Sequence, residues 1–358
     1  MRSATRSPSA LYCFTLSQAA ADRLSECGAD QARMVLRGLE KAWSANGVFV
    51  TDRGRQHWLE LQRVAGLPGE GARRLLLHFL ESGPVAELAQ WPECADVAAA
   101  SREVFEPEGG TWFVSEEEYE RMDLKEEQEL LAESRCNDKD VEFCRLLTFS
   151  DTRWDSGHAS LDLEADGSWA SFVESLRPMV GAGKTLSVVD RYAGKDLAGP
   201  ADESGVMTFL RALLGQPSRF VRRLEHLRIY TASGVAKVTN QPKKGLLETA
   251  EIVAQVEALV PELRALGFRS VRLCVSPDDT FRDHVHGRYL EFAGGSLMRQ
   301  ARVVGLSHGL AVIRPNGLLR SELVVGVEPH LSLESRRREL EESALWQGPL
   351  FSDEGPLP

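Results

Sequence analysis

Two apolar runs near the start of the chain, "SQAAADRLSECG" and "DQARMVLRGLEKAWSANG", carry hydrophobic residues at helical spacing and stop at glycine, which predicts a helix in each. "GVFVTD" reads as a short strand ending at Asp52. "GRQHWLELQRVAG" and "GARRLLLHFLESG" predict two more helices around a Leu67-Pro68-Gly69 turn, and "DKDVEFCRLLTFS" predicts another. The pattern then changes. "TLSVVD" (185–190), "HLRIYTA" (226–232) and "SVRLCVS" (270–276) are buried-type strands. They alternate with helices over 204–215 and 246–267, the second carrying Pro261 as a candidate kink. "GRYLEFAG" (287–294), "GLAVIRP" (309–315) and "ELVVGV" (322–327) predict three further strands. Strand–helix alternation followed by a run of strands predicts an α/β fold with a mixed sheet. Two domains are expected: a helix-rich α/β domain over 1–155 and an α/β domain over 160–330. Residues 331–358 are expected to form a short helix, "SLESRRRELEESALW", and a frayed end, "GPLFSDEGPLP".

Charge sharpens this division. The 358 residues hold 42 Lys+Arg and 53 Asp+Glu, for a net charge of −11. That excludes a surface coated in positive charge, though not a single basic groove. Residues 103–133 alone contain 12 acids and two bases. This segment is either a solvated helical face or a docking surface for a basic protein partner. Residues 159–330 hold 21 bases and 19 acids, a balance compatible with a phosphate-bearing ligand. The six cysteines include no C-x-x-C pair, so neither a zinc cage nor a disulfide framework is expected. With no apolar run long enough to span a bilayer and no signal-peptide core, the expected location is the cytoplasm.

Gly181-Ala182-Gly183-Lys184-Thr185 looks like the end of a phosphate-binding P-loop. However, Pro178 stands where that loop requires its first glycine. The Gly-Lys-Thr also precedes a strand, whereas a P-loop follows one and opens a helix. The stronger signal is "FRDHVHGRYLEFAGG" (281–295). On a strand, His286 and Arg288 share a face. A histidine that attacks phosphorus beside a guanidinium that holds the charged oxygens makes a workable phosphodiester site. Asp283 or His284 would orient His286. The alternative is a polar strand start without chemistry.

The order of strands and helices around these residues resembles the phospholipase D-like domains found singly in bacterial proteins and at the C-terminus of the MIT-domain family. The resemblance covers residues 165–328. It matches Asp190 and Tyr192 to an Asp-x-Tyr position, His286, Arg288 and Tyr289 to a His-x-Arg/Lys-aromatic position, and Gly309 and Leu310 to a Gly-Leu turn. It implies His286 as nucleophile or general acid/base, Arg288 and Tyr192 as phosphate-binding groups, and Asp190 and Asp283 in support, with no cofactor. The catalytic motif of that superfamily is His-x-Lys-x4-Asp. Here Arg288 replaces the Lys and Ala293 the Asp. That active site also uses two His motifs, so this chain would need a homodimer.

The first part more faintly resembles PIN-like nuclease domains, through "LYCFTLSQAAADRL", "GVFVTDRGRQHWLELQ" and "CNDKDVEFCRLL". Those hold Mg²⁺ or Mn²⁺ in a carboxylate cluster. By that resemblance Asp140 and Asp151 are metal ligands, and the first metal-binding Asp, at the end of strand one, falls on Cys13. The bland reading leaves Asp138 and Asp140 as helix caps. Together the resemblances imply a nuclease-related, phosphodiester-handling protein acting on nucleic acid, of the kind seen in bacterial defence systems. The alternative is a non-catalytic binding or dimerisation platform that docks a protein through residues 103–133.

Overall fold

The computed structural model describes residues 12–45, 47–53, 84–91, 110–115, 117–118, 141–145, 160–216, 218–234, 246–285, 287–294, 301–328 and 330–353. The predicted helices over 54–66 and 71–83 lie outside these, as do His286, Asp140, Asp151 and most of segment 103–133. The chain is α/β and divides into two compact units. One comprises Met1–Ala159 with Arg219–Val221 and Ser296–Arg299, the other the remainder from Ser160.

The first unit is built on five parallel strands: β1 (Tyr12–Leu16), β2 (Gly47–Asp52), β3 (Val85–Leu88), β4 (Gly110–Val114) and β5 (Val141–Arg145). Their spatial order is β3-β2-β1-β4-β5. Between β1 and β2 run helices α1 (Gln18–Glu26) and α2 (Ala29–Ala45). Ser17 caps α1 by accepting the Ala20 N–H at 3.0 Å. Leu36 and Leu39 of α2 are buried, as are Phe14 and Phe49 from adjacent strands, whose rings meet edge to face at 5.5 Å. The expected helix over "DKDVEFCRLLTFS" is not formed at its centre. Residues 141–145 instead pair in parallel with β4, from Gly110↔Val141 to Val114↔Arg145. Ladder bonds to a neighbouring strand outweigh the weak helical pattern of so short a run, and Val and Phe suit the extended backbone.

The second unit carries eight strands in the order β13-β9-β8-β7-β10-β11-β12-β6. Its centre is a parallel trio, β7 (Thr185–Val189), β8 (His226–Ser233) and β9 (Ser270–Pro277). After β9 the chain returns across the sheet, and β10 (Arg288–Ala293) lies antiparallel against β7. β11 (Arg302–Leu306), β12 (Leu323–Glu328) and β6 (Ser160–Leu163) continue the antiparallel side. Helix α3 (Ala170–Ala182) leads into β7, and the short α4 (Ala193–Leu197) and α5 (Gly205–Leu214) connect β7 to β8. Phe172 of α3 stacks on Phe209 of α5 with ring centroids 5.7 Å apart, both rings fully buried. Gly181 and Ala182 end a helix and Thr185 opens a strand, so the P-loop-like stretch runs in the helix-to-strand direction that phosphate cradling does not use.

Three expectations are corrected in this unit. The helix expected over 246–267 is two helices, α6 (Thr249–Ala258) and α7 (Val260–Ala265). Pro261 sits in the first turn of α7, where its missing N–H costs nothing. "GLAVIRP" forms no strand. Leu310–Val312 is a single 3₁₀ turn, tightened by a Val312 N–H to Gly309 C=O bond of 3.2 Å. The end of the chain is not frayed up to residue 353. After α8 (Asp278–His284) and the strands comes α9 (His330–Glu342), and then Trp346–Ser352 forms β13, antiparallel to β9. The open edge of β9 supplies backbone partners that sequence patterning does not reveal, and Phe351 is buried beneath the Arg264 guanidinium, 4.5 Å from its ring centroid. Phe351→Ala is expected to cost about 3 kcal/mol of stability, read as a lowered urea midpoint. An unchanged midpoint would mean that β13 does not contribute to the folded unit.

Candidate functional site

β7 ends at Val189, and the next residue, Asp190, is 3% exposed. The antiparallel register pairs Tyr289 with Val189, so the residue after β7 meets the first residue of β10. Arg288 Nε accordingly lies 3.5 Å from Asp190 Oδ1. The same carboxylate oxygen accepts the Tyr192 N–H at 2.9 Å. Gly309 closes over this pair. A Cβ at Gly309 would stand 1.9 Å from Asp190 Oδ2 and 3.1 Å from Arg288 Cδ. Its φ of −72° is open to any residue, so glycine is required here for space and not for conformation.

Arg288 is held from several sides. Its Nη1 donates to the Ser307 carbonyl at 3.1 Å. Its guanidinium lies 5.8 Å from the Tyr192 ring centroid, and Arg191 lies 5.2 Å from the same ring, each contact worth about 0.5–2 kcal/mol. Arg191 is anchored in turn by a two-pronged ion pair to Asp278, fully buried at the start of α8 (Nε–Oδ1 2.5 Å, Nη2–Oδ2 2.9 Å). Burial pushes the Asp190 carboxyl above the ordinary aspartate range. The Tyr192 N–H, Arg288 and the Leu310 N–H pull it back in part.

Asp190 and Arg288 form the floor of a cleft of about 410 Å³. Lys195 from α4 and Arg320 also line it, with His308, Asp196 and Glu203, and its apolar lining includes Tyr192, Pro200, Ala311 and Val312. The Asp196 carboxylate is engaged as a helix cap: it accepts the Ser204 hydroxyl at 2.7 Å and the N–H groups of Gly205 and Val206 at 3.2 and 2.9 Å. Among the described residues, Lys195 and Arg320 have no ion-pair partner.

Of the residues singled out from the sequence, the structure brings together Asp190, Tyr192 and Arg288. His286 lies outside the described residues. Asp283 is on α8, exposed, and does not line the cleft. The sequence reading passed over Lys195, His308 and Arg320, because they come from three segments that only the folded sheet unites. Asp140 and Asp151 lie outside the described residues. Among those described, no three His, Cys, Asp or Glu side chains are placed to hold a metal ion. The match of Cys13 to the end of strand one is corrected: β1 continues to Leu16, Cys13 is buried within it, and Ser17 follows the strand. At the carboxyl ends of β1 and β4, where the strand order reverses, Ser17 donates to Glu118, which also accepts the Ser115 N–H at 2.9 Å. Neighbouring Glu117 pairs with Arg23 at 2.9 Å, so these two acids of segment 103–133 have partners within their own unit. Burial pushes the Cys274 thiol up to about 11, leaving it inert at neutral pH. No described helix is long and apolar enough to cross a membrane.

No protein-family model matches the chain, and no curated protein sequence is similar to it.

Two outcomes test this geometry. Gly309→Ala is expected to cost about 1–3 kcal/mol by overpacking, whereas Gly326→Ala, with no atom within 4 Å of its new Cβ, serves as the near-neutral control. Equal urea midpoints for the two variants would contradict the close approach. Because the folded-state pKa of Asp190 is raised, the stability it contributes is full below the ordinary aspartate value of about 4 and is lost as pH rises through the raised value. The unfolding free energy of the wild type relative to Asp190→Asn should therefore fall as pH is raised above about 4. A flat difference would contradict burial as the dominant influence on this carboxyl.

Proposed function

We propose that the second unit is a phosphate-recognition unit of a nuclease-related protein, and that the Asp190–Arg288 cleft engages the phosphate groups of nucleic acid. The observation that carries this reading is the fixed guanidinium of Arg288. Asp190, the Ser307 carbonyl and the Tyr192 ring hold it at the floor of a cleft that Lys195 and Arg320 also line. An arginine whose orientation is set in advance loses little entropy on meeting a phosphate, and a charge-assisted bond to phosphate oxygen is among the stronger polar contacts.

In this reading His286, two residues ahead of Arg288, is the nucleophile or proton donor. Attack by its imidazole on phosphorus would expel one ester oxygen, which takes up a proton. Water would then release the phosphoryl group from the histidine. Asp190 positions Arg288 and is not itself a reacting group. Asp283, exposed on α8, is assigned no role in the cleft. The single His motif makes the cleaving species a homodimer. Any metal-dependent activity would belong to the first unit, where Asp140 and Asp151 are the proposed Mg²⁺ or Mn²⁺ ligands.

The test is binding and cleavage of labelled single- and double-stranded DNA and RNA, with EDTA or with Mn²⁺. Arg288→Ala is expected to weaken binding at least tenfold, with Arg288→Lys recovering part of the loss. His286→Ala should leave binding intact and abolish any cleavage that survives EDTA. Binding unaffected by Arg288→Ala would overturn the reading, and cleavage that needs Mn²⁺ and is lost in Asp140→Ala would move the chemistry to the first unit.

A further inference from the structure

The charge balance of the cleft differs from that of a groove along which a strand could run. Of its three carboxylates, Asp190 is committed to Arg288 and the Tyr192 N–H, and Asp196 to the cap of α5. Lys195 and Arg320, which also line the cleft, have no ion-pair partner among the described residues. The third carboxylate, Glu203, is exposed beside Pro200, and its neighbour Asp202 is exposed as well. A strand continuing past Pro200 would bring its next phosphate against these two acids. A ligand that ends in the cleft avoids that repulsion.

The remaining features fit such an end. Lys195, Arg320 and Arg288 together suit a phosphomonoester, which carries a charge of about −1.5 to −2 at neutral pH, better than an internal diester with a single charge. The volume of about 410 Å³ is that of a site for one small ligand. Pro200, Ala311 and Val312 supply an apolar wall for its body.

Resting on the reading of the cleft given above, we propose that it takes the terminal phosphate of a single nucleotide. The phosphate lies among Lys195, Arg288 and Arg320, and the nucleoside lies against Pro200, Ala311 and Val312. The source is either a free mononucleotide or the phosphorylated end of a nucleic-acid strand, which present the same chemistry.

Titration calorimetry of the full chain with defined probes tests this. The probes are adenosine 5′-monophosphate, adenosine, glycerol 3-phosphate, and single-stranded 12-mers with 5′-phosphate, 3′-phosphate or only hydroxyl ends. The monophosphate should bind at least tenfold more tightly than adenosine or glycerol 3-phosphate. A phosphorylated 12-mer should bind at least tenfold more tightly than the hydroxyl-ended one. The double variant Lys195→Ala/Arg320→Ala should remove both preferences. A phosphorylated 12-mer that binds while the mononucleotide does not assigns the site to strand ends, and the reverse assigns it to free nucleotides; either supports the terminal-phosphate site. A hydroxyl-ended 12-mer binding as tightly as the phosphorylated ones would overturn the inference while leaving nucleic-acid recognition standing. Glycerol 3-phosphate matching the monophosphate would overturn the role of the apolar wall. No binding of any probe would overturn both this inference and the reading on which it rests.

Discussion

The second unit depends on the antiparallel seating of β10 against β7. A strand added at the free edge of β9 would have put both β9 and β8 between Arg288 and Asp190. Instead the chain crosses back through α8, and the register Tyr289↔Val189 sets the first residue of β10 beside the residue that leaves β7. One pairing thus fixes the floor of the cleft. It also sends alternate residues of β10 to opposite faces: Leu290 and Phe292 share the parity of Arg288, while Tyr289 and Glu291 turn to the other side.

On that other side the same strand is tied down by the end of the chain. Arg336 of α9 donates to the Tyr289 hydroxyl and Arg337 to the buried carboxylate of Glu291. Tyr230 of β8 donates to Glu341 at 2.6 Å. Leu333 and Leu340 of α9 are fully buried in a cluster with Tyr230, Cys274, Phe281 and Val303. The helix leads directly into β13, which closes the edge of β9. Asp190, Asp278 and Glu291 are all buried, and each is paired with an arginine. An unpaired carboxylate at any of these places would carry a penalty of several kcal/mol, so the arginines are part of the fold as much as of any site.

Much of this was readable in advance, for identifiable reasons. Strands β7, β8 and β9 are rich in apolar residues and mostly buried because both faces of a central parallel strand are covered. Helices α1, α2 and α5 show the 3.6-residue period, and α1 and α5 carry serine N-caps. Arg288 stood out from the His-x-Arg pattern at the start of a strand, and Asp190 and Tyr192 only through the resemblance of the strand order to phospholipase D-like domains. The failures share one cause. β5, β13 and the 3₁₀ turn at Leu310–Val312 are short segments whose conformation is set by what lies beside them: β4, the open edge of β9, and the Asp190–Arg288 pair under Gly309.

The sequence by itself determined the α/β class, the crossovers of the parallel trio and the residue types able to meet a phosphate, because hydrophobic period and capping act within a few residues of chain. Tertiary structure alone decided which of those residues meet. Lys195, Arg288 and Arg320 are far apart in the chain and line one cleft only because β10 returns to β7 and the 309–320 segment folds over it. Such convergence is a property of strand order and register, which arise from contacts between distant segments and leave no local mark in the sequence.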